Sequence, residues 1–109
     1  MSDNAVPEVD VHEAARRIQS GVLLIDVREP DEYAEVHAVG ARLLPLSDLT
    51  ARADEIPSDQ PILIICRSGA RSERAAEWLN DRGASATNVA GGTIAWVAAG
   101  LPSATGPTL

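Results

Sequence analysis

Apolar and polar positions along the chain fall into two alternating rhythms. Val11, Ala14, Ala15 and Ile18 recur at helical spacing behind Asp10 and Glu13, an Asp-x-x-Glu start that resembles a capping box, and Gly21 closes the segment. Val22–Ile25 is then an unbroken apolar run, the pattern of a strand buried on both faces. Pro30 followed by Asp31, Glu32 and Tyr33 opens a brief helix with acids in its first turn. Arg42–Leu46 reads as a further short strand, and Ser47 as the cap of a helix running to about Ile56, ahead of Pro57. Ile62–Ile65 is the strongest strand signal. From Ala70 to Arg82 the period returns to that of a helix, with Ala75, Ala76, Trp78 and Leu79 clustered on one side and Gly83 after the end. Ala86–Val89 is a last strand, Gly91-Gly92 a turn, and Thr93–Ala99 a closing helix stopped by Gly100 and Pro102.

Short apolar strands alternating with helices predict an α/β domain, a small parallel sheet with helices on both faces. At 109 residues the chain has room for one core, so residues 1–102 are expected to form a single domain. Ser103–Leu109, rich in Pro, Gly, Ser and Thr, is expected to be a frayed tail. Ligands bind such sheets beyond the carboxyl ends of the strands. Cys66 stands at one such end, immediately before a helix; Asp26, Arg28 and Glu29 stand at another and are expected at the same crevice.

Composition narrows the choice. The net charge is −7 and all nine basic residues are arginine, which argues against a nucleic-acid partner and against docking on anionic lipid. Without lysine the chain forms no Schiff base and completes no Walker-type phosphate loop. One cysteine makes no internal disulfide. The acidic start MSDNAVPEVD is unlike a signal peptide, and no apolar stretch approaches a membrane span, so a cytoplasmic setting is expected. One cysteine and two separated histidines give no metal-ligand spacing, and neither metal nor cofactor is expected.

A lone cysteine beside a buried strand is usually an inert packing residue. The stretch Pro61–Ser72, PILIICRSGARS, changes that reading. Residues 67–71 lead into a helix whose first amides lack internal partners, and the helix dipole adds positive potential there. Arg67, Arg71 and Arg74 lie close by in sequence, and Gly69 allows successive amides to converge on one point as an anion-binding nest. Each feature favours thiolate over thiol, and thiolate is the nucleophile. Cys66 is therefore the candidate reactive group.

The stretch Cys66-Arg67-Ser68-Gly69-Ala70-Arg71-Ser72 resembles the active-site loop of single-domain rhodaneses, the sulfurtransferases. Three further segments agree in order: Leu24–Tyr33 (LIDVREPDEY), His37–Ala41 (HAVGA), and Gly91–Trp96 (GGTIAW) followed by Ala99–Pro102 (AGLP). The resemblance spans about Val9 to Pro102. One departure is Val36, where the family usually has glycine. The resemblance implies a sheet of about five strands and a sulfur relay. Cys66 takes the outer sulfur of a small anionic donor such as thiosulfate and passes it to cyanide or a thiol, including a protein thiol. Arg67, Ser68, Gly69, Ala70 and Arg71 would bind the substrate, their amides cradling the terminal sulfur. Asp26, Arg28 and Glu29 would support the loop, with Arg71 paired to Asp26 or Glu29.

Cell-cycle phosphatases of the same fold also close a cysteine loop with arginine, but their loop carries one residue more. Here four residues separate Cys66 from Arg71, and Ser72 falls where their arginine would stand. A shorter ring suits one sulfur atom better than a tetrahedral phosphoryl group. Arsenate reduction on this fold is a lesser alternative, and a persulfide carrier serving one protein partner is the stronger one. His37 is expected to be a hydrogen-bonded structural residue, Trp78 and Trp96 packing residues, and the acids Glu29, Asp31, Glu32 and Glu35 a solvated face.

Overall fold

The computed structural model describes residues 5–107. Its order is β1 (Glu8–Val9), α1 (Val11–Gln19), β2 (Leu23–Asp26), α2 (Pro30–Glu35), β3 (His37–Ala38), β4 (Ala41–Leu43), α3 (Leu49–Arg52), β5 (Pro61–Ile65), α4 (Ala70–Asp81), β6 (Ser85–Val89), α5 (Gly92–Ala98) and β7 (Ser103–Ala104). Five strands form one parallel sheet in the order β1-β6-β5-β2-β4, and β3 pairs antiparallel with β7. The α/β class with a five-stranded parallel sheet is as expected.

The central strand explains where the sulfur goes. Side chains alternate across a strand, and β5 is apolar on both faces. Ile62 and Ile64 join the core beneath α3 and α4 with Ile25, Leu49, Ala75, Ala76 and Leu79; Leu63 and Ile65 join the core beneath α1 and α5 with Val11, Ala14, Tyr33 and Trp96. Cys66, next in the alternation after Ile64, falls on the α4 side at the carboxyl end of the strand.

Local chemistry accounts for most boundaries. Asp10 caps α1 by accepting from the Glu13 amide at 2.8 Å. The Glu13 carboxylate turns to Arg17 at 2.8 Å and to Arg16, so the capping box is not closed on that side. The helix expected from Ser47 to Ile56 is broken into a single α-helical turn, α3, between two 3₁₀ turns. The expected strand Arg42–Leu46 ends at Leu43, because Leu44 and Leu46 instead donate to the Asp26 and Val27 carbonyls as the chain leaves the sheet. Val36 has φ −166° and ψ 140°, extended backbone that needs no glycine, so the departure from the family pattern costs nothing there.

The tail also differs from expectation. Ser103 and Ala104 pair with Ala38 and His37, and the Gly106 amide donates to Ala34. Thr108 and Leu109, part of the expected tail, lie outside the described residues. His37 beneath this ribbon is fully buried, stacks on the Tyr33 ring at 3.8 Å, and places Nδ1 2.8 Å from the Tyr33 carbonyl. Trp96 is buried with its Nε1 donating to Pro102, whereas Trp78 is half-buried under the Arg82 guanidinium.

Asp26 and Arg28 form a buried ion pair at 2.8 Å. Arg28 also donates to the carbonyls of Glu32 and Val36, so one guanidinium ties the end of β2 to the last turn of α2. Removing one partner of a buried pair leaves the other charge without compensation. Arg28→Met is expected to cost about 3–5 kcal/mol in denaturant unfolding, and Asp26→Asn added to it to recover much of that loss. A single-variant loss no larger than that of an exposed pair would contradict this account of the junction.

Candidate functional site

The Cys66 loop is held from outside by its carbonyls. The Cys66 carbonyl accepts from the Thr93 amide at 2.8 Å and from Thr93 Oγ1 at 3.0 Å, and the Arg67 carbonyl accepts from the Ile94 amide at 3.1 Å. Both amides belong to the first turn of α5, where no intrahelical acceptor exists. The approach is close: a Cβ on Gly92 would lie 2.5 Å from the Arg67 oxygen and 2.6 Å from the Cys66 oxygen. Gly92 (φ 61°) is therefore required by contact as well as by conformation.

With its carbonyls turned outward, the loop turns amides inward. Gly69, at φ 114°, donates its N–H to Cys66 Sγ at 3.1 Å. The amides of Ser68 and Ser72 also favour the charged sulfur, and Ser72 Oγ lies 3.2 Å from Sγ. Burial pushes the Cys66 thiol up; the Ser72 hydroxyl and the amides of Ser72, Gly69 and Ser68 outweigh it, and the pKa ends below the ordinary thiol value. The residue is only 1% exposed, so the sulfur lies at the bottom of the loop, with Arg67, Ser68 and Ala70 exposed above it. The arrangement sets the sulfur in a nest of main-chain donors, which favours its ionised form.

The two arginines of the loop take different positions. Arg71 makes a two-pronged ion pair with Glu32, both contacts 2.8 Å, and not with Asp26 or Glu29. Asp26 is committed to Arg28. Glu29 is exposed at the start of α2, its amide donating to Glu32 Oε1 at 3.0 Å. Glu32 thus leaves the expected solvated acidic face and joins α2 to α4. Arg67 is exposed and borders a groove of about 200 Å³ lined by Arg28, Glu35, Val36, Thr93, Ile94 and Val97. A wider hollow of about 610 Å³ at the opposite end of β2, near Gly21, Arg42 and Gln60, is lined by no thiol, hydroxyl or imidazole.

Two polar residues beside the sulfur were not among the expected site residues. Ser72 occupies the buried stripe of α4 with Ala75, Ala76 and Leu79, and Asn88 is buried on β6 opposite Ile64. A polar residue on an apolar stripe was the available signal in both cases.

The chain belongs to the rhodanese-like domain family, which it matches over residues 10–99. A protein of Allochromatium vinosum named sulfurtransferase is 40% identical over 100 residues, 89% of this chain and 94% of that protein. A putative sulfur carrier protein of Bacillus subtilis, YrkF, is 36% identical over 86 residues, covering 75% of this chain and 46% of that protein, so the chain spans about half of it. The crystal structure of a rhodanese-related protein from Thermoplasma volcanium superposes with a TM-score of 0.84 at 26% identity, over 90% of this chain and 97% of that one. Among the described residues no helix is long and apolar enough to cross a membrane.

Two measurements test this geometry. Gly92→Ala is expected to cost about 2 kcal/mol or more and to raise the Cys66 ionisation midpoint, whereas Gly83→Ala, at φ 97° with open space around it, costs only about 1 kcal/mol. Equal effects would show that α5 does not shape the loop. The Arg71 guanidinium holds the Glu32 carboxyl down, from 4.5 to about 2. A depressed carboxylate contributes stability that is present above its unfolded pKa and is lost as pH falls through the folded one. Stability should therefore decline from about pH 4.5 toward 2, and Glu32→Gln should flatten that decline; an unchanged acid limb would contradict the assignment.

Proposed function

We propose that the chain is a sulfurtransferase that carries a sulfane sulfur as a persulfide on Cys66. The observation that carries this reading is the Gly69 amide donating to Cys66 Sγ at 3.1 Å inside a loop of four intervening residues. The sulfurtransferase named in Allochromatium vinosum, matched over nearly its whole length, supports it.

In the first half-reaction the Cys66 thiolate attacks the outer sulfur of a donor such as thiosulfate. The new S–S bond forms as the bond between the two donor sulfurs breaks, and sulfite leaves with the electron pair. In the second, a thiolate or cyanide attacks the outer persulfide sulfur and the Cys66 thiolate is regenerated. No net oxidant is consumed and ping-pong kinetics follow. The amides of Ser68, Gly69 and Ser72 act as preorganised donors to the charge on sulfur. Arg67 draws the anionic donor to the mouth, with Ser68 and Ala70 forming the rim and the adjoining groove admitting the acceptor. Arg71 is a supporting residue, because Glu32 occupies its fork.

Sulfur transfer is favoured over phosphate transfer on the same geometry. The flanking carboxylates Asp26 and Glu32 are each committed to an arginine, so neither is available as a general acid. The likeness to a putative sulfur carrier protein supports a second reading, delivery of the persulfide to one protein thiol. We place this chemistry in the cytoplasm, where a lone thiol stays reduced.

Cys66→Ser is expected to fold and to lose sulfur transfer by at least about a thousandfold, the order seen when a nucleophile is removed. Full activity in that variant would refute the assignment. One residue inserted between Gly69 and Arg71 should weaken transfer by enlarging the ring, and an unchanged rate would show that loop size does not set specificity. Slow turnover with cyanide alongside rapid transfer to a protein thiol would select the carrier reading.

A further inference from the structure

Ser72 has one hydroxyl proton and three acceptors around it. Its Oγ lies 3.2 Å from Cys66 Sγ, 3.2 Å from the Gly69 carbonyl and 2.5 Å from Asn88 Oδ1. The orientation of the Asn88 amide follows from its other neighbours. Its Nδ2 lies 2.9 Å from Glu8 Oε2 and 3.3 Å from the Gly69 carbonyl, both acceptors, so the nitrogen belongs on that side and the oxygen faces Ser72. Asn88 is 1% exposed and sits on β6 beside the edge strand β1, which supplies Glu8. Two oxygens 2.5 Å apart need a proton between them, so the shortest contact claims the Ser72 hydroxyl.

We propose that Asn88 is a positioning residue for Cys66: anchored by Glu8, its amide oxygen competes with the sulfur for the Ser72 proton and restrains ionisation of the thiol. The consequence is directional. When Cys66 is a thiol, the chain runs S–H to Ser72 Oγ and Ser72 O–H to Asn88 Oδ1, with every proton placed. When Cys66 ionises, the Ser72 proton must swing to Sγ and Asn88 Oδ1 loses its donor. In the persulfide of the proposed function, on which this part rests, the charge moves to the outer sulfur and the Ser72 proton returns to Asn88. Asn88 thus disfavours the resting thiolate relative to the loaded state. A thiolate that is stabilised less is also the stronger nucleophile.

The charged groups around the loop include Arg71 of α4 with Glu32 of α2, Arg28 with Asp26 of β2, exposed Arg67 with Glu35 of α2 along one groove, and Glu8 of β1 behind Asn88. Both buried or half-buried pairs are internally neutral, which leaves the hydroxyl as the adjustable donor.

Because the chain has one cysteine and burial pushes the phenol of its one tyrosine, Tyr33, up, the ultraviolet absorbance of the thiolate titrates Cys66 below the Tyr33 transition, with no sulfur donor present. Asn88→Leu should move the midpoint to lower pH, and Ser72→Ala should move it higher. In a Ser72→Ala background Asn88→Leu should add no downward shift. Above its midpoint, Asn88→Leu should react with iodoacetamide more slowly, by roughly threefold for each pH unit the midpoint falls. A merely structural Asn88 would loosen the loop and move the midpoint upward, which would overturn the proposal, as would no shift or a downward shift that persists without Ser72. Should Asn88→Leu not fold, Glu8→Ala at the exposed edge releases the amide. Its downward shift should be larger with Ser72 present than in Ser72→Ala, and equal shifts would overturn the proposal. A chain that accepts no sulfur yet shows these opposed shifts would retire the transfer reading and leave this one standing.

Discussion

Main-chain N–H groups converge on one sulfur in this domain because the carbonyls of the same loop are taken up elsewhere. A peptide plane carries its N–H and its C=O on opposite sides. Thr93 and Ile94 bind the Cys66 and Arg67 carbonyls, which turns the Ser68 N–H of the Arg67–Ser68 peptide toward the sulfur, and Gly69 N–H joins it at 3.1 Å from Sγ. The constraint reaches the sequence through Gly92, where no side chain fits, and Gly69, where the backbone is left-handed. The chemistry proposed for Cys66 depends on a contact between residues 27 apart in the chain.

Around that contact the fold supplies rigidity in layers. The central strand β5 is apolar on both faces and aims its carboxyl end at the site. The Arg28–Asp26 pair locks the neighbouring strand to α2, and the Glu32–Arg71 pair locks α2 to the helix that follows the loop. Buried ion pairs are weak sources of net stability but strong sources of definition, since either partner alone is costly. Ser72 and Asn88 occupy the remaining side, the floor beneath the sulfur. In this account the arginines shape and attract, and the charge on sulfur is met by neutral dipoles, which do not have to reorganise as it moves.

Much of this was legible in the residues. The runs Val22–Ile25, Ile62–Ile65 and Ala86–Val89 mark strands because continuous apolar stretches bounded by polar turns suit a sheet covered on both faces. Strands β1 and β7 carry no such mark, since two residues have no period, and β7 turned a segment expected to fray into half of a ribbon. The region from Leu46 to Glu55 has helical composition but divides into short turns as it packs. Cys66, Gly69 and the loop arginines stood out because a strand end, a glycine and a helix start occur together. The partner of Arg71 did not: four acids lie between Glu29 and Glu35, and only the packing of α2 on α4 selects Glu32. Ser72 and Asn88 were visible as polar residues on buried faces, but their pairing across 16 residues was not.

The most direct test of the central claim is the mass of the intact protein after incubation with thiosulfate under otherwise reducing-agent-free conditions. The account predicts one added sulfur, located on the peptide containing Cys66 and removed by cyanide or a thiol. An unchanged mass after thiosulfate, and likewise after a low-molecular-weight persulfide, would contradict it.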